Sequence, residues 1–161
     1  KRWDIAITAF AKYALIDNDS LLVMAGDGPE LASLKMLATN LNVSEKVRFL
    51  GPMQDVSTLY AMADVFIFPS RYEGFPNVLL ECAVFDLPVV AFKIDFGVEE
   101  IIDHGVTGIL VDDDDLEGFY SGLSGAICLK KQVIHSGYSR IREAYSKDKI
   151  YGLWASALGA V

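Results

Sequence analysis

Short, uninterrupted apolar runs recur along the chain, separated by polar turns and by segments of helical spacing. Runs of this length, rich in valine, isoleucine and phenylalanine, predict strands rather than helices. Because the runs are continuous and not alternating, both faces of each strand are expected to be buried, as in a parallel sheet. The predicted strands are 21–25, 47–50, 65–68, 88–92 and 109–111.

The segments between these strands place apolar residues at intervals of three and four, which predicts helices. From Leu116 onward the chain reads as helical, with interruptions near Gly137 and Ser146. Regular alternation of strand and helix favours right-handed crossovers. We therefore predict one α/β domain over 1–161, a doubly wound parallel sheet with helices on both faces. The earlier predicted helices are 4–16, 30–40, 55–62 and 76–85, with a helical turn at 98–102.

Composition narrows the classes of partner. Hydrophobic residues make up 52% of the 161 residues, enough for a full core, but no run approaches the roughly 20 apolar residues of a membrane helix. The net charge of −8 argues against nucleic acid as a partner. Cys82 and Cys128 have neither metal-site spacing nor disulfide density, so we expect free thiols and a cytoplasmic location.

Three loops lie beyond the carboxyl ends of predicted strands, at 26–29, 51–55 and 70–77. Ligands of parallel α/β sheets bind at this edge, so we expect the functional site there. The turn Gly26-Asp27-Gly28 lacks the third glycine of a dinucleotide fingerprint, whose place Leu31 occupies. It therefore predicts a loop that lines the cleft and not an NAD site.

The most informative loop leads from a buried strand into a helix opened by Pro76. The free amides at a helix start carry partial positive charge and attract anions. Gly74 lets the backbone approach a ligand closely. A strand, loop and helix arranged in this way predict a diphosphate site.

Two carboxylates bracket that helix start. Glu73 lies in the loop, and Glu81 lies about five residues into the helix, roughly 7.5 Å along its axis. That span matches the distance from a diphosphate to the far hydroxyls of a ribose, which leaves Glu73 to face the group on the other side of the diphosphate. On spacing alone, two solvated glutamates remain the alternative.

At these residues the sequence resembles family 4 retaining glycosyltransferases of the GT-B fold. The stretch PSRYEGFPNVLLE at 69–81, followed by PVVAF, is similar to the glutamate-x7-glutamate motif of that family. The resemblance covers nearly the whole chain. Further matching segments are LLVMAGDGPEL at 21–31, VRFLG at 47–51, YAMADVFIFPS at 60–70 and EIIDHGVTGILV at 100–111.

The resemblance implies roles for individual residues. Glu73 contacts the donor sugar at the reaction centre, Glu81 binds the ribose hydroxyls, and Lys1 neutralises the diphosphate together with an arginine upstream of this chain. Met53 meets the base through its backbone, while Gly26 and Gly28 form a donor-side loop. The diphosphate-binding helix start corresponds to Gly74, Phe75, Pro76, Asn77, Val78 and Leu79.

The resemblance also implies the activity. The full-length protein is expected to transfer a hexosyl group, with retention, from a nucleotide diphosphate donor to a glycan or lipid-linked acceptor of polysaccharide or lipopolysaccharide. A UDP-sugar is favoured, from the style of EGFPNVLLE and of FGVEEII at 96–102. No cofactor and no metal are expected. An acceptor-binding N-terminal domain is expected to be the absent partner, with peripheral membrane contact through it, so the isolated chain is expected to be inactive.

Two alternatives stay open. One is a nucleotide-binding module of the same fold without chemistry. The other is half of a GT-B sugar epimerase, which draws its catalytic groups from the other domain. The spacing of the two glutamates argues against the epimerase.

Several features lie outside this pattern. Aspartate stands at position 86, where the family usually has glycine, so we expect a shifted helix end there. The acidic run 112–115 predicts a solvated loop, with a calcium site as the alternative. Arg71 either binds phosphate or is simply exposed. Two histidines without metal partners, His104 and His135, are expected to be structural or exposed. Three aromatic residues at helical spacing, Tyr145, Tyr151 and Trp154, are expected to pack, and the resemblance implies that some of them face the absent domain instead.

Overall fold

The computed structural model describes residues 1–95 and 97–157. Phe96, part of the segment behind the UDP expectation, and the last four residues of the predicted domain lie outside this description. In the described residues five strands alternate with α-helices, and two further α-helices follow, in the order α1 (Trp3–Tyr13), β1 (Leu22–Ala25), α2 (Leu31–Asn40), β2 (Val47–Gly51), α3 (Ser57–Met62), β3 (Phe66–Phe68), α4 (Asn77–Val84), β4 (Val89–Phe92), α5 (Val98–Ile101), β5 (Gly108–Val111), α6 (Leu116–Ile127), α7 (Lys131–Ala144) and α8 (Lys147–Ala157).

The strands form two parallel sheets, β1-β2 and β3-β4-β5. The α/β class, the parallel pairing and all five predicted strands are therefore confirmed, each within one or two residues. The continuous apolar run of β4 reflects burial on both faces, as predicted, because all four residues of this strand are buried. In the described residues the parallel sheet is in two parts, because β1 and β3 are not hydrogen-bonded to each other.

The core consists of three contiguous clusters. One packs β1 and β2 between α1 and α2, around Ile7, Phe10 and Met24. A second packs α1 and α6 against β4, where the rings of Phe92 and Phe119 stack with centroids 4.4 Å apart. The third lies on the other face of β4 and β5, beneath α4 and α7. Helices therefore cover both faces of the three-stranded sheet.

The predicted interruption at Gly137 is wrong, because α7 runs through it without a break. A Cβ at this glycine would lie 2.5 Å from the Thr107 side chain. The glycine is therefore required for close packing of α7 on the turn before β5, and not for a break. The real interruption lies at 128–130, while the one at Ser146 is confirmed.

The predicted shift of the helix end at Asp86 is also wrong. Asp86 adopts the left-handed conformation, with φ 51°, and the Leu87 amide donates to the Cys82 carbonyl at 3.0 Å. That bond closes the helix end in the same way as a glycine does. The carboxylate of Asp86 bonds His135 Nδ1 at 2.7 Å and Arg142 Nη1 at 2.5 Å, and these contacts from α7 stabilise the strained backbone.

Among the three late aromatic residues, the expected packing is confirmed for Tyr145. Its ring lies 5.7 Å from the Phe75 ring, centroid to centroid. Tyr151 and Trp154 are 60% and 64% exposed, and none of the described residues of α8 is buried. The helical spacing is real, but the described part of the chain offers α8 no surface to cover these two rings.

Candidate functional site

The loop that follows β3 brings the first predicted acid and the predicted lysine together. The Lys1 ammonium lies 2.5 Å from the Glu73 carboxylate, although 72 residues separate them in the sequence. The side chain of Glu73 is 13% exposed and that of Lys1 is 61% exposed. The pair therefore sits at the mouth of the carboxyl edge, with its acid facing inward and its base facing solvent.

The protonation state of Glu73 follows from these contacts. Burial opposes ionisation, but hydrogen bonds from Lys1 and from the buried Ser70 hydroxyl outweigh it and lower the pKa of Glu73. A hydrogen bond to the charged form of a carboxyl group favours that form. Glu73 is therefore a carboxylate at neutral pH.

Helix α4 begins where the anion site was predicted. Pro76 is the N-cap residue and makes no side-chain cap, while the Asn77 and Leu79 amides donate to the Phe75 and Pro76 carbonyls at 3.0 and 2.9 Å. For the amides of Gly74, Phe75 and Val78, the residues described in the structure provide no acceptor. Free amides at a helix start are the groups that bind phosphate.

Gly97, which sequence analysis missed, packs directly against the start of α4. It is buried, has φ +82°, and a Cβ here would lie 2.5 Å from Cδ of Pro76. A side chain at this position would therefore displace Pro76, the residue that opens α4. The available signal was a glycine directly before the short α5, but only the fold shows that α5 begins against Pro76.

The second predicted acid, Glu81, lies on the exposed side of α4. It is four residues past the first helical residue, about 6 Å along the axis. Burial, with the neighbouring Glu81 carboxylate as the next cause, raises the pKa of the Tyr60 phenol. Glu81 is thus a solvent-facing acceptor on the motif helix, with a tyrosine hydroxyl beside it.

The other predicted loops also lie at the carboxyl edge. Gly26 has φ +127° and donates its amide to the Gly51 carbonyl at 2.7 Å. The Gly28 amide donates to its neighbour Asp27 at 2.7 Å, and Gly28 has open space around it. Met53, which follows Gly51 and Pro52, is 43% exposed. These residues border the site without contacting the Lys1–Glu73 pair.

A network of ion pairs that sequence analysis did not foresee ties this edge together. Asp113 accepts from Arg2 at 2.9 Å and from Arg71 at 2.9 Å, and Asp114 accepts from the same arginines at 3.2 and 3.3 Å. Arg71 is thus committed to carboxylates in this structure. The network joins the loop after β5 to the motif loop and to the residue next to Lys1.

The acidic run is therefore not a merely solvated loop. Asp112 pairs with Lys93 at 2.7 Å, and Asp115 caps α6 by accepting from the Gly118 amide at 2.9 Å. No group of three or more potential metal ligands is present among the described residues. The calcium alternative thus has no support in residues 1–95 and 97–157.

Two pockets in the described part of the fold lie away from the carboxyl edge of the sheets. One of about 540 Å³ is lined by Asp64, Pro88 and His135, among others, at the amino ends of β3 and β4. Another of about 340 Å³ lies between Val106 and α7. The chemistry described above is instead on an open surface, as expected for one wall of a cleft.

A model of the family "Glycosyl transferases group 1" matches residues 1–130. The chain belongs to this family. The match includes α1 with Lys1, the three carboxyl-edge loops and the motif helix α4. The family resemblance and the GT-B relationship deduced from the motifs are confirmed.

Curated relatives of this chain are considerably longer than the chain itself. An N-acetyl-alpha-D-glucosaminyl L-malate synthase of Bacillus anthracis is 36% identical over 118 residues, which cover 73% of this chain and 30% of that protein. The lipopolysaccharide core biosynthesis glycosyltransferase LpsE of Rhizobium meliloti is 31% identical over 142 residues, covering 86% and 42%. The chain thus spans less than half the length of these relatives.

Solved structures share the fold. The pneumococcal O-GlcNAc transferase GtfA, in complex with UDP and GlcNAc, superposes with a TM-score of 0.86 at 20% identity, covering 99% of this chain and 33% of that one. At this identity the similarity establishes the Rossmann-like GT-B architecture alone.

No helix in the part of the chain that the structure describes is both long and apolar enough to cross a membrane.

Proposed function

We propose that this chain is the nucleotide-sugar-binding half of a retaining hexosyltransferase that extends a glycan or lipid-linked acceptor of a surface polysaccharide or lipopolysaccharide. The observation that carries the proposal is the Lys1–Glu73 pair beside the free amides of the α4 start. One cation, several amides and one partly buried acid form a site for an anionic leaving group attached to a sugar. The lipopolysaccharide transferase among the relatives supports the class of acceptor.

The proposed reaction depends on stabilising the leaving diphosphate. Transfer breaks the bond between the sugar carbon and the diphosphate oxygen and forms a bond from that carbon to the acceptor hydroxyl oxygen, whose proton passes to the leaving diphosphate. Negative charge therefore develops on the diphosphate oxygen as its bond to the sugar breaks. The α4 amides and the Lys1 ammonium are fixed positive groups at this point, and such groups stabilise developing charge without reorganisation. Glu73, a carboxylate at neutral pH, faces the sugar, and Glu81 holds the ribose hydroxyls.

Lys1 has two anionic partners in this scheme. In the structure it bonds Glu73, and a donor diphosphate at the α4 start competes for the same ammonium group. Donor binding therefore loosens the Lys1–Glu73 pair at the moment when the Glu73 carboxylate is needed at the sugar. In this proposal a second domain closes the open carboxyl edge, so the 161-residue chain binds the donor but does not transfer the sugar.

The test is a thermal-shift series with UDP, GDP and their sugars on the wild type and on Glu81→Ala. Stabilisation follows RT ln(1 + [L]/Kd), so weak binding is measurable at high ligand concentration. We expect UDP to raise the melting temperature of the wild type. Loss of the ribose hydrogen bonds should weaken UDP binding about 10-fold in Glu81→Ala, equivalent to about 1.4 kcal/mol.

Glu45→Ala is the matched control, because Glu45 is an exposed glutamate in the turn before β2, at the opposite edge. It should bind UDP as the wild type does. UDP binding that is unchanged in Glu81→Ala would support the alternative of a nucleotide-binding module without chemistry. A full-length protein that converts a UDP-sugar to its epimer without an acceptor would support the epimerase.

A further inference from the structure

Arg2, which directly precedes helix α1, has an unusual backbone conformation. Its φ of 52° and ψ of 46° lie in the left-handed region, although it is not a glycine. Its carbonyl accepts from the Ile5 amide at 3.1 Å, so it takes part in the first turn of α1. A residue with a Cβ adopts the left-handed conformation at a cost in free energy, and it stays there only where its surroundings enforce it. The contacts of the Arg2 side chain show what enforces it.

Three groups from two other segments hold the guanidinium of Arg2. Its central carbon lies 4.7 Å from the centroid of the Phe92 ring, at the end of β4. Its two terminal nitrogens donate to Asp113 at 2.9 Å and to Asp114 at 3.2 Å. A planar guanidinium can stack on a ring and bind carboxylates at the same time, and an ammonium group cannot replace it in both contacts.

The groups that bind Arg2 are themselves fixed. Phe92 is fully buried, and its ring lies 4.4 Å from that of Phe119 on α6, centroid to centroid. One oxygen of Asp113 accepts from Arg2, and the other accepts from Arg71 at 2.9 Å. The anchor for Arg2 therefore belongs to the core and to the loop after β5, and not to α1 itself.

The backbone angles of Arg2 set the path of the chain at Lys1. In the right-handed region Arg2 would extend α1 by one residue, and Lys1 would follow the helical path. The left-handed conformation redirects the chain, and with this path the Lys1 ammonium lies 2.5 Å from the Glu73 carboxylate. The Lys1 side chain is 61% exposed, and an ion pair of an exposed lysine is too weak to fix its own geometry. The position of Lys1 therefore depends on Arg2.

We propose that Arg2 is a positioning residue, whose contacts with Phe92 and with Asp113 hold the left-handed turn that places the Lys1 ammonium beside Glu73. A lysine that is held in advance loses less freedom when an anion binds, so Arg2 raises the affinity of the site through Lys1. The diphosphate as that anion rests on the proposed function, whereas the dependence of the Lys1–Glu73 contact on Arg2 does not.

The titration of Glu73 tests this proposal without any ligand. Burial opposes the ionisation of Glu73, and the hydrogen bond from Lys1 is the next cause and lowers its pKa. Carboxyl ¹³C NMR measures this pKa in the wild type, in Lys1→Met and in Arg2→Gln. We expect Arg2→Gln to raise the pKa of Glu73 in the same direction as Lys1→Met does, because the ammonium is no longer held beside the carboxylate.

Lys12→Gln is the matched control. The Lys12 ammonium on α1 lies 4.0 Å from the centroid of the Tyr120 ring and 2.6 Å from a carboxylate of α6. It therefore combines an aromatic contact with an ion pair, as Arg2 does, but at the far end of the helix from Lys1. Lys12→Gln should leave the pKa of Glu73 unchanged.

A double-mutant cycle separates an effect through Lys1 from a direct effect of the Arg2 charge. Arg2→Gln added to Lys1→Met should shift the pKa of Glu73 far less than Arg2→Gln does in the wild type, because residues that act as a unit are not additive. An equal shift in the two backgrounds would overturn the proposal, since Arg2 would then act on the carboxylate directly.

Arg2→Gly separates the side chain from the strained turn. Glycine adopts the left-handed conformation at no steric cost, so Arg2→Gly should be more stable in urea denaturation than Arg2→Gln, which keeps the strain and loses the same contacts. We nevertheless expect Arg2→Gly to raise the pKa of Glu73 as far as Arg2→Gln does. An unchanged pKa in Arg2→Gly would also overturn the proposal, because the turn alone would then place Lys1.

UDP affinity, measured by isothermal titration, connects this role to the proposed function. We expect Arg2→Gln to weaken UDP binding about two- to five-fold, the range of a partly exposed ion pair, and to have little effect in the Lys1→Met background. A wild type that does not bind UDP would contradict the proposed function, and the Glu73 titration would still decide the role of Arg2. UDP binding that is weakened by Lys1→Met but not by Arg2→Gln would overturn the positioning role.

Discussion

At the scale of single residues, position and charge state decide what the site can do. Glu73 is held as a carboxylate by Lys1 and Ser70, and it is the less exposed member of its pair with Lys1. Gly97 is required for a different reason, because it combines a positive φ with direct contact to Pro76. One residue sets the electrostatics of the site, and the other sets the position of the helix start.

Replacing Glu73 with glutamine should separate binding from chemistry. Removing the carboxylate frees Lys1 for the diphosphate and removes a repulsive charge, so we expect UDP affinity to rise about two- to five-fold, the range of a partly exposed ion pair. Isothermal titration measures this change. Transfer by the full-length protein should be lost.

Glu117→Gln is the control for that experiment, because it breaks a comparable pair with Lys12, 2.6 Å long, at the side of α1 and α6. It should leave UDP affinity unchanged. Weaker UDP binding by Glu73→Gln would mean that Lys1 does not contact the diphosphate.

Gly97→Ala should impair the site as well as the fold. Alanine in a left-handed conformation costs about 1–2 kcal/mol, and here its Cβ also displaces Pro76. Gly105→Ala is a matched control, since Gly105 has φ +77° with no atom near its Cβ position. We expect both variants to lose stability in urea denaturation, but only Gly97→Ala to lose UDP affinity; equal UDP affinity in the two would refute the support role of Gly97.

At the scale of elements, contacts between segments distant in sequence hold the loops in place. Arg2 and Arg71 converge on Asp113 and Asp114, so the loop after β5 fixes both the motif loop and the residue beside Lys1. Exposed ion pairs are individually weak, but this network joins three segments at one edge. On the far side of α4, Asp86 fixes the helix end through α7 in a similar way.

The end of α4 should respond to both side chain and pH. Asp86→Ala keeps the left-handed strain without the ion pairs, so it should be about 1–2 kcal/mol less stable than Asp86→Gly in urea denaturation. Burial raises the pKa of Asp86, but the bonds from His135 and Arg142 outweigh it and lower it.

Because the pKa of Asp86 is lower in the folded state, its ionised form contributes fully to the stability of the fold above the unfolded pKa of about 3.9. That contribution is lost as pH falls through the folded value. The wild type should therefore lose stability relative to Asp86→Gly below about pH 4, and a difference that stays constant down to about pH 3 would exclude a role for the ion pairs.

At the scale of the whole molecule, three features bear on the proposed role of the chain as one half of a two-domain protein. Its chemistry lies on an open edge, its sheet is divided, and the rings of Tyr151 and Trp154 on α8 face solvent. The relatives it matches are more than twice as long. These features agree with a domain that is completed by other parts of a longer protein.

Trp154 reports on that completion. In the 161-residue chain of Trp3→Phe, which leaves Trp154 as the remaining tryptophan, we expect the emission of a water-exposed indole. In full-length protein that carries only this tryptophan, contact with the second domain should shift the emission to shorter wavelength and reduce quenching by acrylamide. The same emission in both proteins would place α8 outside the domain interface.

The sequence by itself determined the α/β class, the five strands and the glutamate motif, because continuous apolar runs and a strand-loop-helix unit are local patterns. It could not reveal that Lys1 lies close to Glu73, that Gly97 packs against Pro76 or that the aspartate run pairs with arginines. Each of these contacts joins segments that only the folded chain brings together. The Asp86 and Gly137 predictions failed for the same reason. Both predictions considered only the helix that contains or precedes the residue. The packing of α7 decided both outcomes, because its side chains bind Asp86 and because its Gly137 packs against Thr107.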